Sequence, residues 1–336
     1  MRYFAILIFS VLPLFAAAQD WEDQRVFGVE SAPQTLRILS STDTSFFIPI
    51  IESFMAQRPG ISVEYLVTGT ADLDDLFRQS PDQFDVVISS AMDLQLKLTN
   101  DGFAQRLGEL EHPDWAQWRS SLFAFTIEPA AIVVNTAAFR GLSIPATRQE
   151  LIEVLRANAE LFDGKVGTYD VRLSGLGYLF ATQDARASET FWRLMEVIGS
   201  LDAQLYCCSG EMIDDLAEGR ILVAYNVLGS YALARADTQD ALTVILPSDF
   251  PTTMMRSAFV SKSASDPILA ESFVSHLIGL QAEGSSKDFP LPSLDAFQAT
   301  SGRASISLEP ALMTYLDQLK QQIFIREWES AIIQEQ

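Results

Sequence analysis

The sequence is poor in the residues that carry metal, redox and nucleophilic chemistry. Its 336 residues include two cysteines and two histidines. His112 and His276 stand far apart and neither belongs to a ligand-spaced cluster, so no metal site is expected. Cys207 and Cys208 are adjacent, and neighbouring residues meet disulfide geometry only through a strained ring. Two buried thiols and a vicinal disulfide are both open at this point. There is no G-x-S-x-G nucleophile elbow, no metal-ligand motif and no phosphate-binding P-loop. Among 44 acidic residues, no carboxylate stands out from the solvated background except Glu128, Asp170 and Asp249. These absences count against an enzyme, and no cofactor is expected.

Positive charge is scarce too. Lys and Arg number 23 against the 44 acids, a formal charge of −21 that becomes −22 if Arg2 is removed. Such a chain repels nucleic acid and anionic membrane surfaces, so neither is an expected partner. Any anionic ligand must then be held by local dipoles against the overall field. Long apolar runs are missing except at the start. Arg2 gives a positive leader, Tyr3 to Phe15 is apolar apart from Ser10 and Pro13, and Ala16-Ala17-Ala18 supplies a small-residue cleavage pattern. Residues 1–18 therefore read as a signal peptide, too short for a membrane anchor of about 20 apolar residues. No cysteine follows the cleavage site to carry a lipid. A soluble, monomeric, periplasmic protein is expected.

What is present is a regular alternation of strands and helices. Leu36 to Leu39 reads as a strand, Phe46 to Gln57 as a helix with Phe47, Ile50, Ile51 and Phe54 at helical spacing, and Ile61 to Val67 as a strand. Phe84 to Ile88 is a buried strand leading into the helix around Leu94 to Leu98. A second set follows. Thr147 with Glu150 forms a capping box for a helix to Phe162. Strands follow at Lys165 to Tyr169, Gln204 to Cys207, Ile221 to Asn226 and Leu242 to Leu246. Ser257 to Ser261 reads as a strand returning to the first set, and helices at Pro267 to Leu280 and Leu308 to Ile333 close the chain. Alternating elements imply an α/β fold of mostly parallel sheets with helices on both faces. In such sheets ligands sit beyond the carboxyl ends of the strands.

Those strand ends carry hydroxyls and glycines repeatedly. Ser40, Ser41, Thr42 and Thr44 follow the first strand, and Ser89 and Ser90 follow the third. Ser174 and Gly175 follow the strand ending in TYD; Ser209 and Gly210 follow the one ending in YCC. Each precedes a helix, whose first N–H groups lack partners and whose dipole favours negative charge. One serine at a helix start is explained by capping alone, but four such loops in two lobes exceed what capping requires. Arg172 and Arg256 add planar forks suited to carboxylate or phosphate.

The segments SSTDTSFFIPIIESF, FDVVISSAMDLQLKLTNDG, FTIEPAAIVVN, GTYDVRLSGLGYLF, AYNVLGSYALAR and LPSDFPTTMMRSAFV together resemble the periplasmic solute-binding proteins of ABC importers. They are similar to the branch that holds ferric-ion, hexose-phosphate and phosphoglycerate-related binding proteins, and they cover most of Leu36 to Gln281. The resemblance implies two Rossmann-like lobes, residues 35–126 plus 256–336 and residues 127–255, joined by crossover strands near Phe125 to Ile132 and Leu246 to Ala258. It places Glu128, Tyr225 and Asn226 beside the cleft with the loops named above. It also implies hinge closure on a small anionic solute, a phosphorylated sugar or acid or a polycarboxylate. The partner it implies is an inner-membrane ABC permease, with a membrane sensor histidine kinase as the alternative. Iron binders of this branch carry two adjacent tyrosines followed by an arginine. Here the stretch reads Tyr231-Ala232-Leu233-Ala234-Arg235, so poor ferric binding is expected. N-terminal sequencing of exported protein should find a chain starting at Gln19 or Asp20; a chain starting at Met1 contradicts the signal-peptide reading.

Overall fold

The computed structural model describes residues 21–29, 32–108, 110–235, 241–295 and 305–334. The proposed signal peptide lies outside the described residues. In chain order the first half runs β1 (Asp23–Phe27), β2 (Gln34–Ser40), α1 (Thr44–Ala56), β3 (Ile61–Val67), α2 (Asp72–Gln79), β4 (Val86–Ser89) and α3 (Met92–Asn100). Then come the short strands β5 (Gln117–Trp118) and β6 (Leu122–Ala124), and the chain crosses into β7 (Glu128–Asn135). The next stretch is α4 (Arg148–Ala157), α5 (Ala159–Phe162), β8 (Val166–Tyr169), α6 (Gly175–Ala187), α7 (Thr190–Gly199), β9 (Gln204–Tyr206), α8 (Ser209–Ala217), β10 (Val223–Leu228) and α9 (Gly229–Ala234). The chain ends with β11 (Leu242–Ile245), β12 (Thr253–Met254), β13 (Ser257–Val260), α10 (Pro267–Ala282) and α11 (Gln318–Ile332).

These elements form two sheets, ordered β1-β3-β2-β4-β13-β6-β5 and β11-β7-β10-β8-β9, with β12 pairing β7. Both are mixed rather than mostly parallel. β3-β2-β4 and β10-β8-β9 are parallel, whereas the crossover strands β7 and β13 pair antiparallel with their neighbours. A strand that leaves one sheet for the other enters from the hinge side, opposite to strands fed by helices. Parallel pairing brings the carboxyl ends of β2, β3 and β4 to one edge of the first sheet. It brings those of β8, β9 and β10 to one edge of the second.

The reason these segments fold locally as they do is visible in their burial. β2 buries Leu36, Ile38 and Leu39 completely, and α1 packs on β1 and β3 of the same sheet and buries Phe46, Phe47, Ile50, Ile51 and Phe54. The Thr147 cap forms as expected, with Glu150 N–H donating to its Oγ1 at 3.1 Å, while Glu150 Oε2 reaches back to the N–H of Ala146. The closing helix differs from the expected Leu308–Ile333. Pro310–Leu316 is a tight 3₁₀ turn packed on α3, and α11 begins only at Gln318. The expectation put all of 256–336 with the first sheet. However, Phe324, Trp328 and Ile332 of α11 pack into the apolar cluster of the second sheet, against α7. The amphipathic stripe of α11 fixes that it is buried, not which sheet buries it.

The second sheet holds a buried polar network around Asp184, which is fully buried. Its carboxylate accepts from Arg148 Nη2 (3.2 Å to each oxygen), Tyr225 Oη (2.7 Å), Asn226 Nδ2 (2.8 Å) and Thr252 Oγ1 (2.7 Å). Arg148 also donates to Tyr225 Oη at 2.8 Å and to Asp249 at 3.2 Å. Burial works against the Arg148 charge, but Tyr225 and the two carboxylates outweigh it and raise the pKa. Asn226 sits at φ 62°, where β10 slips its register against β7. Asparagine tolerates that left-handed backbone. Tyr225 and Asn226, expected at the cleft, are thus held inside this network. Arg148→Met should destabilise the chain by about 3–5 kcal/mol, because it leaves a buried charge uncompensated. The double variant Arg148→Met/Asp184→Asn should recover part of that loss in urea unfolding, since it removes the lone charge and keeps an acceptor for the Tyr225, Asn226 and Thr252 donors.

Candidate functional site

The two loop edges face each other across the crossovers. β6 gives way to β7 through residues 125–127 and β12 to β13 through 255–256, and the two passages are bonded to one another. Phe125 N–H donates to Arg256 O at 2.9 Å, and Arg256 N–H donates to Thr126 Oγ1 at 3.0 Å. Arg256 is 1% exposed. Its Nε and Nη2 donate to Glu128 at 3.0 and 3.2 Å, and its Nη1 donates to Thr42 Oγ1 at 2.5 Å. Glu128 accepts further from Thr126 at 2.8 Å and Ser230 at 2.5 Å. Burial alone would push the Glu128 carboxyl up; the Arg256 charge beside it outweighs this and holds it below its ordinary value. A guanidinium has five N–H groups, so after these three bonds two remain for other partners.

Arg256 lines a cavity of about 30 Å³ between the sheets, room for a water or two. Of the expected residues, Ser41, Ser90 and Ser209 line it with Arg256, and Thr42 stands directly behind. Ser89 bonds Ser41 from behind, Oγ to Oγ at 3.1 Å, and Glu128 sits beneath Arg256. Thr44 turns away to donate to Asp23 at 2.5 Å. The serine of the YCC loop does not cap α8 as expected; Ser209 Oγ instead meets Tyr169 Oη at 2.5 Å. Cys207 and Cys208 are joined as a vicinal disulfide and form part of the same wall.

Arg172, Ser174 and Gly175 lie elsewhere, on a second pocket of about 290 Å³. Arg172 is committed to Asp170 at 2.6 Å and Glu329 at 3.1 Å. Ser174 Oγ accepts from Gly177 N–H at 3.1 Å and so is the cap of α6. The N-terminus of α6 is met by the first sheet: Leu176 N–H donates to Thr70 Oγ1 at 3.2 Å. A Cβ on Gly175 would lie 2.8 Å from Thr70 O, so glycine is what lets the two edges touch there.

Sequence reasoning missed several lining groups. Glu22, Asp43, Thr70 and Tyr169 line the cavity, and Tyr231 closes it by donating to Asp43 at 3.1 Å. Burial raises the Tyr231 pKa and Asp43 adds to it, so this tyrosine stays a phenol. Asp43 stands inside the hydroxyl-rich loop and was legible there. Glu22 carries no sequence signal, because β1 reaches the site only through its antiparallel register with β3.

The bacterial extracellular solute-binding protein family matches residues 40–206. The substrate-binding protein of an ABC transporter from Agrobacterium tumefaciens is 31% identical, with a TM-score of 0.86 over 92% of this chain and 98% of that one. AfuA from Actinobacillus pleuropneumoniae, with fructose-6-phosphate bound, is 15% identical, with a TM-score of 0.70 over 90% of this chain and 100% of that one. Iron-bound HitA from Pseudomonas aeruginosa is 14% identical, with a TM-score of 0.66 over 89% and 99%. The latter two share the fold alone. No curated protein matches the sequence.

One carboxylate on the second pocket has an unusual setting. Asp93 is 2% exposed and lines the larger pocket. Burial raises its pKa to about 7, with the Leu94 N–H opposing and Asp74 adding to the rise. The folded chain keeps this proton up to about pH 7, whereas the unfolded chain releases it near the ordinary value of 3.8. The unfolded state binds fewer protons across that window, so stability falls as pH rises through it. At about 1.4 kcal/mol per pKa unit, Asp93→Asn should gain roughly 1–4 kcal/mol over the parent at pH 8. It should gain little at pH 4, as urea unfolding at the two pH values will show.

Proposed function

This chain belongs to the bacterial extracellular solute-binding proteins that serve ABC transporters, and on that premise we propose that it captures a phosphorylated sugar or sugar acid between its sheets for delivery to a membrane permease. The observation that carries this reading is the mixed chemistry of the cavity wall. Arg256 offers two uncommitted N–H groups. The loops that lead into α1, α3 and α8 reach the same wall through Asp43, Ser90 and Cys208, and their helix dipoles with the guanidinium suit an anionic head. On the same wall stand Glu22 and Asp43, whose carboxylates accept hydrogen bonds from hydroxyls and repel a second anion. A solute with one phosphate and several hydroxyls uses both sets. A polycarboxylate uses only the first, which favours the phosphorylated class of the two that the sequence suggests.

The division into lobes follows from the same reading: residues 35–126 with 256 onward form one lobe and 127–255 the other, with α11 reaching across. A cavity of about 30 Å³ does not admit a hexose phosphate, so entry requires the lobes to part about the paired passages at 125–127 and 255–256. The contacts Thr70–Leu176 and Asp43–Tyr231 would then open, and these are single hydrogen bonds of 3.2 and 3.1 Å. Each is worth about 0.5–1.5 kcal/mol net, small enough for a solute to remake on closing. Ferric ion fits poorly, since the one tyrosine at the position of the iron-binding pair is a donor to Asp43.

Native mass spectrometry of the exported protein should reveal a co-purifying phosphorylated carbohydrate. In calorimetry, hexose phosphates should bind, while the same hexoses without phosphate and tricarboxylates should bind at least tenfold more weakly. The double variant Arg256→Gln/Glu128→Gln removes both charges without leaving a buried ion alone. It should weaken the hexose phosphate about 10- to 100-fold, the worth of one charged hydrogen bond of about 1.5–3 kcal/mol. Preference for unphosphorylated sugars or for polycarboxylates sinks the reading.

A further inference from the structure

The vicinal disulfide is the one chemically reactive group on the cavity wall, and the solute reading leaves it without a role. Cys207 and Cys208 join β9 to α8 on the second sheet. Glu22, just before β1, belongs to the first. They meet across the cleft: Cys208 Sγ lies 4.0 Å from Glu22 Oε1. The two sulfurs and a Glu22 oxygen lie within 4.8 Å of one another, and among the described residues no other group of three such side chains does so.

We propose that reduction converts this wall into a site for a thiophilic divalent cation such as Zn²⁺ or Cd²⁺, held by the thiolates of Cys207 and Cys208 and the carboxylate of Glu22. The geometry is near what the chemistry needs. Zinc–sulfur bonds of about 2.3 Å and zinc–oxygen bonds of about 2.0–2.2 Å at tetrahedral angles put ligand atoms roughly 3.5–3.8 Å apart. Glu22 already stands close to that distance from Cys208. Only the two sulfurs are too close, and breaking their bond is what frees them to separate. The fourth ligand position faces the cavity, which has room for a water. Asp43 on the same wall adds negative charge that favours a cation. Thiolate pairs select soft and borderline metals over magnesium or calcium.

The electron balance is simple. An external dithiol reductant gives two electrons and two protons to the disulfide and is left oxidised to its own disulfide. The two new thiols then lose their protons to solvent as the divalent ion binds. In the oxidising periplasm the disulfide form persists, so the site exists only where a reductant reaches the cleft. Because its ligands come from both sheets, a bound ion ties the two edges together.

The test needs no carbohydrate. The mature chain is reduced, freed of reductant without air, and titrated with Cd²⁺ and Zn²⁺ beside the oxidised chain. Reduced protein should bind one ion per chain, show thiolate-to-cadmium charge-transfer absorption, and melt at higher temperature with metal. Oxidised protein should bind at least about 100-fold more weakly. Glu22→Gln should keep the absorption and lose about tenfold or more in affinity. Cys207→Ser and Cys208→Ser should each lose tight binding, and reduced wild-type protein alkylated at both thiols serves if a serine variant does not fold. Equal binding by oxidised and reduced chains, or tight binding that survives alkylation, overturns the proposal. Failure of hexose phosphates to bind leaves it standing.

Discussion

The ion pair of Arg256 and Glu128 sits where the two sheets meet, and the rest of the site depends on it. Glu128 opens β7 on one passage between the sheets; Arg256 stands on the other, just before β13. Through Thr42, Thr126 and Ser230 the pair also holds the loop after β2 and the start of α9. Two ions buried this deeply cost several kcal/mol each to desolvate and are repaid only when every donor and acceptor is met. That condition fixes the geometry of four chain segments at once. Arg256 also lines the cavity, so the pair that joins the two passages shapes the site as well.

A second buried network, around Asp184, plays the corresponding part inside the second sheet. It explains why Tyr225 and Asn226, which look from sequence like strand-end ligands, face inward. Both buried polar networks join residues far apart in the chain. The pairs Thr42–Arg256 and Arg148–Asp249 are 214 and 101 positions apart. Such pairings tie distant segments to one arrangement, because a slip of either leaves a charge unpaired.

The cavity wall joins three kinds of chemistry: helix starts and a guanidinium, carboxylates that accept hydroxyls, and a disulfide. On the proposed reading, the first two serve one solute of the phosphorylated-sugar class. The disulfide is independent of that solute, and its proximity to Glu22 gives the cleft a second possible occupant that depends on redox state. Asp93, buried beside the second pocket near the α6 start, makes the folded chain less stable as pH rises toward neutral, without touching the smaller cavity.

From sequence alone the alternation of elements, the crossover segments and the hydroxyl-rich loops after β2, β4 and β9 were legible, because periodicity and turn chemistry are local. Ser41, Ser90, Ser209 and Arg256 reached the cavity wall from that reading. The same local reasoning misplaced Ser174, whose hydroxyl is consumed as a cap, and Tyr225 and Asn226, whose partners lie in segments no local pattern connects. It gave no hint of Glu22, since only the register of β1 against β3 carries that residue to the cleft. Whether the adjacent cysteines were thiols or a disulfide was likewise open, as was the sheet that would bury α11. Local preference sets which elements form and which faces are apolar; which distant charges meet across two sheets is decided only when the chain packs.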